Sequence, residues 1–302
     1  MQINAAIAAI SELSAPTLGV FRGQDAVALK VSRNQLTRLC TSGVIARELP
    51  DVYRMTVVAS SSLQRTVAAL LWAGDDAAAC GRSAGEVYGL EGVIGERPEI
   101  AVTSWRRSDL VIVHHHHDLA PLMPRTHRRV RVTGVEATLV ALAHALDDEA
   151  FEIACEDARR RRLTTVSGLN SYLDRFGRRG LPGVAATRAL LDQLDPVHPS
   201  RSTLEVKTRR LLVAHGMTEF EREFPLEWNG RTYRYDFAFP ASRTILETNG
   251  KRWHDDPTDF EHDQEKWSVP ARHGWRIVFA TWERVTRHPD RLLAELAAAL
   301  AA

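Results

Sequence analysis

The chain has 302 residues, 44% of them hydrophobic and 25% charged, with a formal net charge of +1. Those proportions suit a soluble globular protein of two or three domains. Lys and Arg number 7 against 6 Asp and Glu over residues 1–80, 16 against 16 over 81–197 and 16 against 16 over 198–302, which excludes a protein that coats nucleic acid through bulk charge and leaves local patches, or metal ions that offset carboxylates.

The first helix-like stretch, Ile3 to Leu13, lacks a basic flank and a cleavage-site pattern, so no export signal is expected. Apolar runs are alanine-rich and too short to span a bilayer. Cys40, Cys80 and Cys155 are widely separated and form neither a zinc knuckle nor a disulfide framework, as befits a reducing compartment. The expectation is a cytoplasmic protein without a membrane partner.

Residues 18–56 read as helix, turn, helix and β-hairpin. Gln24–Lys30 is a short helix, Val31 and Ser32 the turn, and Ser32 an N-cap for Arg33–Thr41, which Gly43 ends. Ile45–Leu49 and Val52–Met55 are extended runs about Pro50-Asp51, a turn signal. This order predicts a winged helix-turn-helix over 1–58. Residues 59–195 read as mostly helical, with alanine-rich helices at Leu63–Trp72, Glu136–Leu146 and Glu149–Arg160 and an extended stretch near Glu99–His117. Four successive histidines, His114 to His117, point to alternate faces of a strand, and no acid or cysteine in the pattern completes a metal site. Arg159–Arg162 reads as a solvated helix end. A linker, Asp195 to Ser200, precedes an α/β segment over 200–302. The fold class expected for the whole is α/β (α+β), with a mixed sheet flanked by helices at the carboxy-terminal end.

In that last segment Asn229-Gly230 lies between aromatic runs, a strong hairpin signal. With those residues at the turn, cross-strand partners sum to about 459, which sets Glu223 opposite Asp236. A symmetric loop at Pro240–Arg243 gives a sum of about 483 and sets Asp236 opposite Glu247. Opposed like charges destabilise a sheet. They either face water or hold a divalent cation. The alternation places Tyr233, Tyr235, Phe237 and Phe239 on one face and Arg234, Asp236 and Ala238 on the other.

The motifs Arg234 to Pro240, Ile245 to Gly250, Trp253-His254, Asp263 to Lys266, Gly274 to Val278 and Trp282-Glu283 resemble the DUF559 group, related to the very short patch repair (Vsr-like) endonucleases of the PD-(D/E)xK superfamily. The resemblance covers roughly residues 200–300. It implies a restriction-endonuclease-like fold in which Asp236 and Glu247 bind Mg²⁺ (or Mn²⁺), which polarises the scissile phosphate and activates water. Glu205 matches the acid that often completes the metal shell, though Ser202-Thr-Leu-Glu205 is also a capping box. His254 matches an assisting histidine, or it is a surface residue. Lys266 either steadies the attacking hydroxide or pairs with Asp263 or Glu283. Trp275 and Trp282 read as core. Asn249 departs from the pattern, standing where relatives carry an acid or a histidine.

Leu18 to Phe21, Val31 to Leu36 and Asp51 to Arg54 resemble the winged-helix domain of AbiEi-type antitoxins, more loosely into residues 80–195 through Gly81 to Ala84 and Tyr88 to Leu90. In those relatives the winged helix binds DNA. By position Arg33, Asn34, Gln35 and Arg38 reach base edges or phosphates. Such units also serve as protein contacts, and a toxin is one such partner. Two readings result. The first is a DNA endonuclease or nickase targeted by a winged helix. The alternative is a DNA-binding, antitoxin-like transcriptional regulator whose nuclease domain is inactive.

Overall fold

The computed structural model describes residues 2–249 and 257–301, with side chains from Glu265 onward in the second stretch. It forms two compact units, Met1–Pro196 and Val197–Ala302, and is mixed α/β throughout.

The first unit opens with α1 (Ile3–Ser14), β1 (Val20–Arg22), α2 (Gly23–Ala28), α3 (Arg33–Thr41), β2 (Ile45–Leu49) and β3 (Val52–Met55). The three strands form an antiparallel sheet in the order β1-β3-β2. Helix α3 begins in a complete capping box: the Ser32 hydroxyl accepts from Gln35 N–H at 3.3 Å, and Ser32 N–H donates to Gln35 Oε1 at 2.8 Å. It ends before Gly43, which takes φ +74°. Helix α2 is shorter than Gln24–Lys30. Val31 N–H closes on Ala26 O, and Lys30 turns left-handed at φ +66°. Ala6, Ile10, Phe21, Leu36, Leu39 and Ile45 are buried together, so one apolar face of α1 and of α3 is sealed against the small sheet.

The rest of this unit carries a small sheet beside its helices. Its helices are α4 (Ser62–Ala73), α5 (Gly81–Tyr88), α6 (Val135–Ala145), α7 (Asp148–Arg160), α8 (Val166–Phe176) and α9 (Val184–Leu191). They accompany a five-stranded mixed sheet of β4 (Ala78–Ala79), β5 (Glu99–Val102), β6 (Ile112–His115), β7 (Arg125–His127) and β8 (Val130–Val132) in the order β6-β5-β4-β8-β7. Strands of two to four residues carry too few alternations to register as a period.

The second unit runs α10 (Thr203–Ala214), β9 (Glu221–Trp228), β10 (Arg231–Phe239), β11 (Thr244–Asn249), α11 (Pro257–Arg272), β12 (Arg276–Thr281), α12 (Trp282–Arg287) and α13 (Pro289–Ala301). The sheet order is β12-β11-β10-β9, with only β11 and β12 parallel. Asn229 and Gly230 both take positive φ, +49° and +74°, the conformation a two-residue hairpin turn demands. The register is the expected one: Tyr235 faces Phe224, and Phe237 faces Leu246. The alternation departs from expectation. Tyr233 and Tyr235 are buried with Val269 of α11, whereas Phe237 and Phe239 are buried with Leu204 and Leu296 of α10 and α13. The ladder skips the Glu223–Asp236 step, where Glu223 takes φ +52°. The phase of the strand changes there, and both sheet faces are covered by helices.

Candidate functional site

Helix α3 presents its polar side to solvent. Asn34 and Arg38 are exposed, while Leu36 and Leu39 point into the core. Gln35 is engaged in the cap of its own helix. Arg33 is exposed and ion-paired with Asp51 of the wing turn, which raises its already high pKa. Asp51 also accepts from Gln24 N–H at 3.0 Å, so one carboxylate ties the wing to both helices of the motif. Of the four positions expected to meet DNA, Asn34 and Arg38 are the two that carry neither of these structural duties.

In the second unit β10 and β11 pair only over Phe237–Phe239 and Thr244–Leu246. Beyond that point β10 stays with β9, β11 stays with β12, and the two central strands diverge. Asp236 and Glu247 stand at this fork. The parting strands leave backbone donors that need partners, and the two acids supply them. Asp236 N–H donates to Glu247 Oε2 at 3.1 Å, and Thr248 N–H donates to Asp236 Oδ2 at 2.8 Å. The Thr248 hydroxyl binds the same oxygen. Both acids are about 5% exposed (Asp236 6%, Glu247 5%). Burial, and then the charge of Asp236, push the Glu247 carboxyl up to about 7. Lys266 from α11 answers this with an ion pair to Glu247 Oε1, its ammonium 5.3 Å from the centre of the Tyr235 ring. The pairing among the described side chains is with Glu247, not with Glu283; Asp263 lies outside the described side chains.

Glu205 approaches from α10. It is 1% exposed, and burial followed by the charge of Asp236 raises its pKa. Its carboxylate accepts from Arg222 at 2.6 Å and from Arg201 N–H at 2.6 Å. The capping interaction is therefore half of the expected box: Ser202 caps Glu205 N–H at 3.2 Å, but the acid reaches back one residue further, to Arg201. Glu223 is ion-paired with Arg201, so its charge is answered by a side chain of its own unit. Asn249 is exposed at the end of β11, paired in the ladder with Thr281. His254 and Trp253 lie outside the described residues. Among the described residues no three His, Cys, Asp or Glu side chains form a ligand group for a metal.

Arg201, Arg222 and Thr248 complete this cluster and were not singled out by sequence. Thr248 sits between two suspected site residues, which was its only signal. The two arginines meet their partners across 22 and 17 residues of chain, beyond any local pattern. Trp275 packs on Phe224 with ring centres 4.9 Å apart, as expected of core. Trp282 does not: it is 49% exposed, with Lys207 5.9 Å over its ring. Two discounted patterns in the first unit also change. Glu99, on the strand beside His114, brings a carboxylate oxygen to 3.5 Å from His114 Nε2, so an acid does accompany the histidines. Of Arg159 to Arg162, Arg161 and Arg162 are exposed as a solvated helix end would be, but Arg159 is not. Arg159 is buried on Glu156 at 2.7 Å, Arg160 bridges Glu91 and Asp157, and Arg161 binds the carbonyls of Tyr88 and Gly89.

No helix of the described residues is long and apolar enough to cross a membrane. No curated protein matches the chain. Among solved structures the chain is similar to the RV2827C protein from Mycobacterium tuberculosis, at 17% identity and a TM-score of 0.42, over 68% of this chain and 81% of that one. Residues 9–56, from within α1 to just past β3, match the family described as "Transcriptional regulator, AbiEi antitoxin" (AbiEi_4), so the amino-terminal region is similar to the domain of that family.

Proposed function

We propose that this protein is a DNA-binding transcriptional regulator of the antitoxin type, reading DNA with α3 of its winged helix. The family match at residues 9–56 moves this reading ahead of the nuclease reading. The observation that carries it is the exposed pair Asn34 and Arg38 on a helix whose amino-terminal end is rigidly capped. Asn suits adenine edges, and Arg suits guanine edges or phosphates. A toxin as protein partner belongs to the same reading. The test is duplex binding by the full chain against salt. Asn34→Ala/Arg38→Ala should weaken affinity and lower the salt slope by about one for each lost phosphate contact. Identical affinity and slope would assign α3 to protein contact.

A second reading rests on the fork at Asp236 and Glu247: the carboxy-terminal unit is a restriction-endonuclease-like phosphodiester hydrolase. The donor set fits a hard divalent cation, because Mg²⁺ is commonly held by one or two carboxylates together with substrate phosphates. Asp236 and Glu247 would hold it, with Glu205 beside them. When bound, the cation supplies positive charge to a phosphate. Lys266 must then release Glu247, and its ammonium becomes available to hold or move a proton near the phosphate. The order α10, β9, β10, β11, α11, β12 and the motif resemblance support the same fold. Supercoiled plasmid should be nicked in Mg²⁺ or Mn²⁺ by the natural chain and not by Asp236→Asn. Equal nicking by both proteins, or by neither, would remove the hydrolase.

A further inference from the structure

One face of the second unit carries a charge pattern that neither the winged helix nor the acid pair uses. An open groove of about 470 Å³ is lined by Arg201, Arg231, Thr232, Tyr233, Arg234 and Lys266. Four of those six side chains are cations, in a segment whose formal charges balance overall. Three are well placed to accept a new partner. The Arg231 side chain is 67% exposed and pairs with Glu265 at 3.6 Å, an ion pair of the weak surface kind. Arg234 is exposed and spends one bond on the Glu223 carbonyl at 3.1 Å. The Arg201 side chain is 58% exposed although it pairs with Glu223. Each guanidinium has five donors, so these contacts leave others facing the groove.

We propose that this groove binds the sugar–phosphate backbone of duplex DNA, as a second DNA contact separate from α3. Arg231, Thr232 and Arg234 follow one another along β10. At about 3.4 Å per residue they make a track of about 10 Å, on the scale of about two neighbouring phosphates of one strand, one for each arginine. Arg234 lies two residues from Asp236, so the same track leads along the strand to the fork. Planar guanidinium groups match phosphate bidentately, and the Thr232 hydroxyl adds a neutral donor. The contact extends the DNA-binding reading to the second unit. It needs neither a divalent cation nor hydrolysis.

The experiment uses the full chain, in EDTA, with a fluorescent mixed-sequence duplex and a salt titration. Asn34→Ala/Arg38→Ala isolates what α3 does not contribute. Adding Arg231→Ala/Arg234→Ala to that protein should weaken the residual affinity about tenfold or more and lower the salt slope by about two. Arg231→Lys/Arg234→Lys should retain most of the slope, which separates lost charge from lost folding, and melting curves check the latter directly. Unchanged residual affinity and slope in the alanine protein would overturn the groove contact while leaving α3 untouched. If the α3 substitutions alone change nothing and the groove substitutions abolish binding, the winged-helix reading fails and the groove stands.

Discussion

Glu247 shows what burial does to an acid whose neighbours are also charged. Its carboxyl sits near 7 in the folded protein against an ordinary 4.5, so folding disfavours its ionised form. The destabilisation is absent below about 4.5, grows as pH rises to 7, and is complete above that. Glu247→Gln keeps an acceptor for Asp236 N–H and for Lys266 while removing the charge. In EDTA it should raise the melting temperature at pH 8, with a stabilisation of about 3 kcal/mol at most, and leave it unchanged at pH 4.5. Parallel melting profiles for the two proteins across that range would show that Glu247 does not carry the strain. Mg²⁺ or Mn²⁺ should stabilise the natural chain by linkage, and Asp236→Asn should remove most of that shift; an undiminished shift would locate the cation elsewhere. Asn249→Asp places a carboxylate two residues from Glu247. It should tighten Mn²⁺ binding and lower the apo melting temperature together, and no change in either would detach Asn249 from the site. The pairing of Asp236 with Glu247 was legible in sequence because turn residues set register. The diversion of Glu223 to Arg201 was not, since it depends on a helix start meeting a left-handed residue in mid-strand.

At the scale of elements, α3 and the hairpin were legible residue for residue, because Ser32, Gly43 and Pro50-Asp51 all carry local turn or cap chemistry. The strand β1 was not, being three residues whose partner, β3, lies thirty positions on. Of the five-stranded sheet, β5 and β6 fall within the stretch read as extended near Glu99–His117, whereas β4, β7 and β8, of two or three residues each, escaped for the same reason. Helix α7 holds its place by charges that sequence suggested were solvated. Arg159 and Glu156 are both buried, and Arg159 also reaches the Asp195 carbonyl, so the end of α7 is fastened to the segment that closes the unit. Arg159→Met preserves length and removes the charge. Breaking a buried pair leaves its partner charged and poorly solvated, so the cost should be about 3 kcal/mol, read as a lower urea midpoint with an unchanged slope. A midpoint equal to that of the natural chain would mean that the pair is compensated locally.

At the scale of the molecule, the chain joins an AbiEi-like winged helix to a unit with a forked, carboxylate-bearing sheet. Its balanced charge makes both proposed DNA contacts local, so affinity should depend on a few named cations and fall steeply with salt. The central claim is that DNA meets α3. Amide hydrogen exchange on the full chain, with and without a saturating duplex in EDTA, tests it most directly. The account predicts slower exchange at the amino-terminal end of Arg33–Thr41, with added protection across Arg231–Arg234 if the groove also engages. Protection confined to residues 197–302, with α3 exchanging at the same rate in both samples, would contradict it.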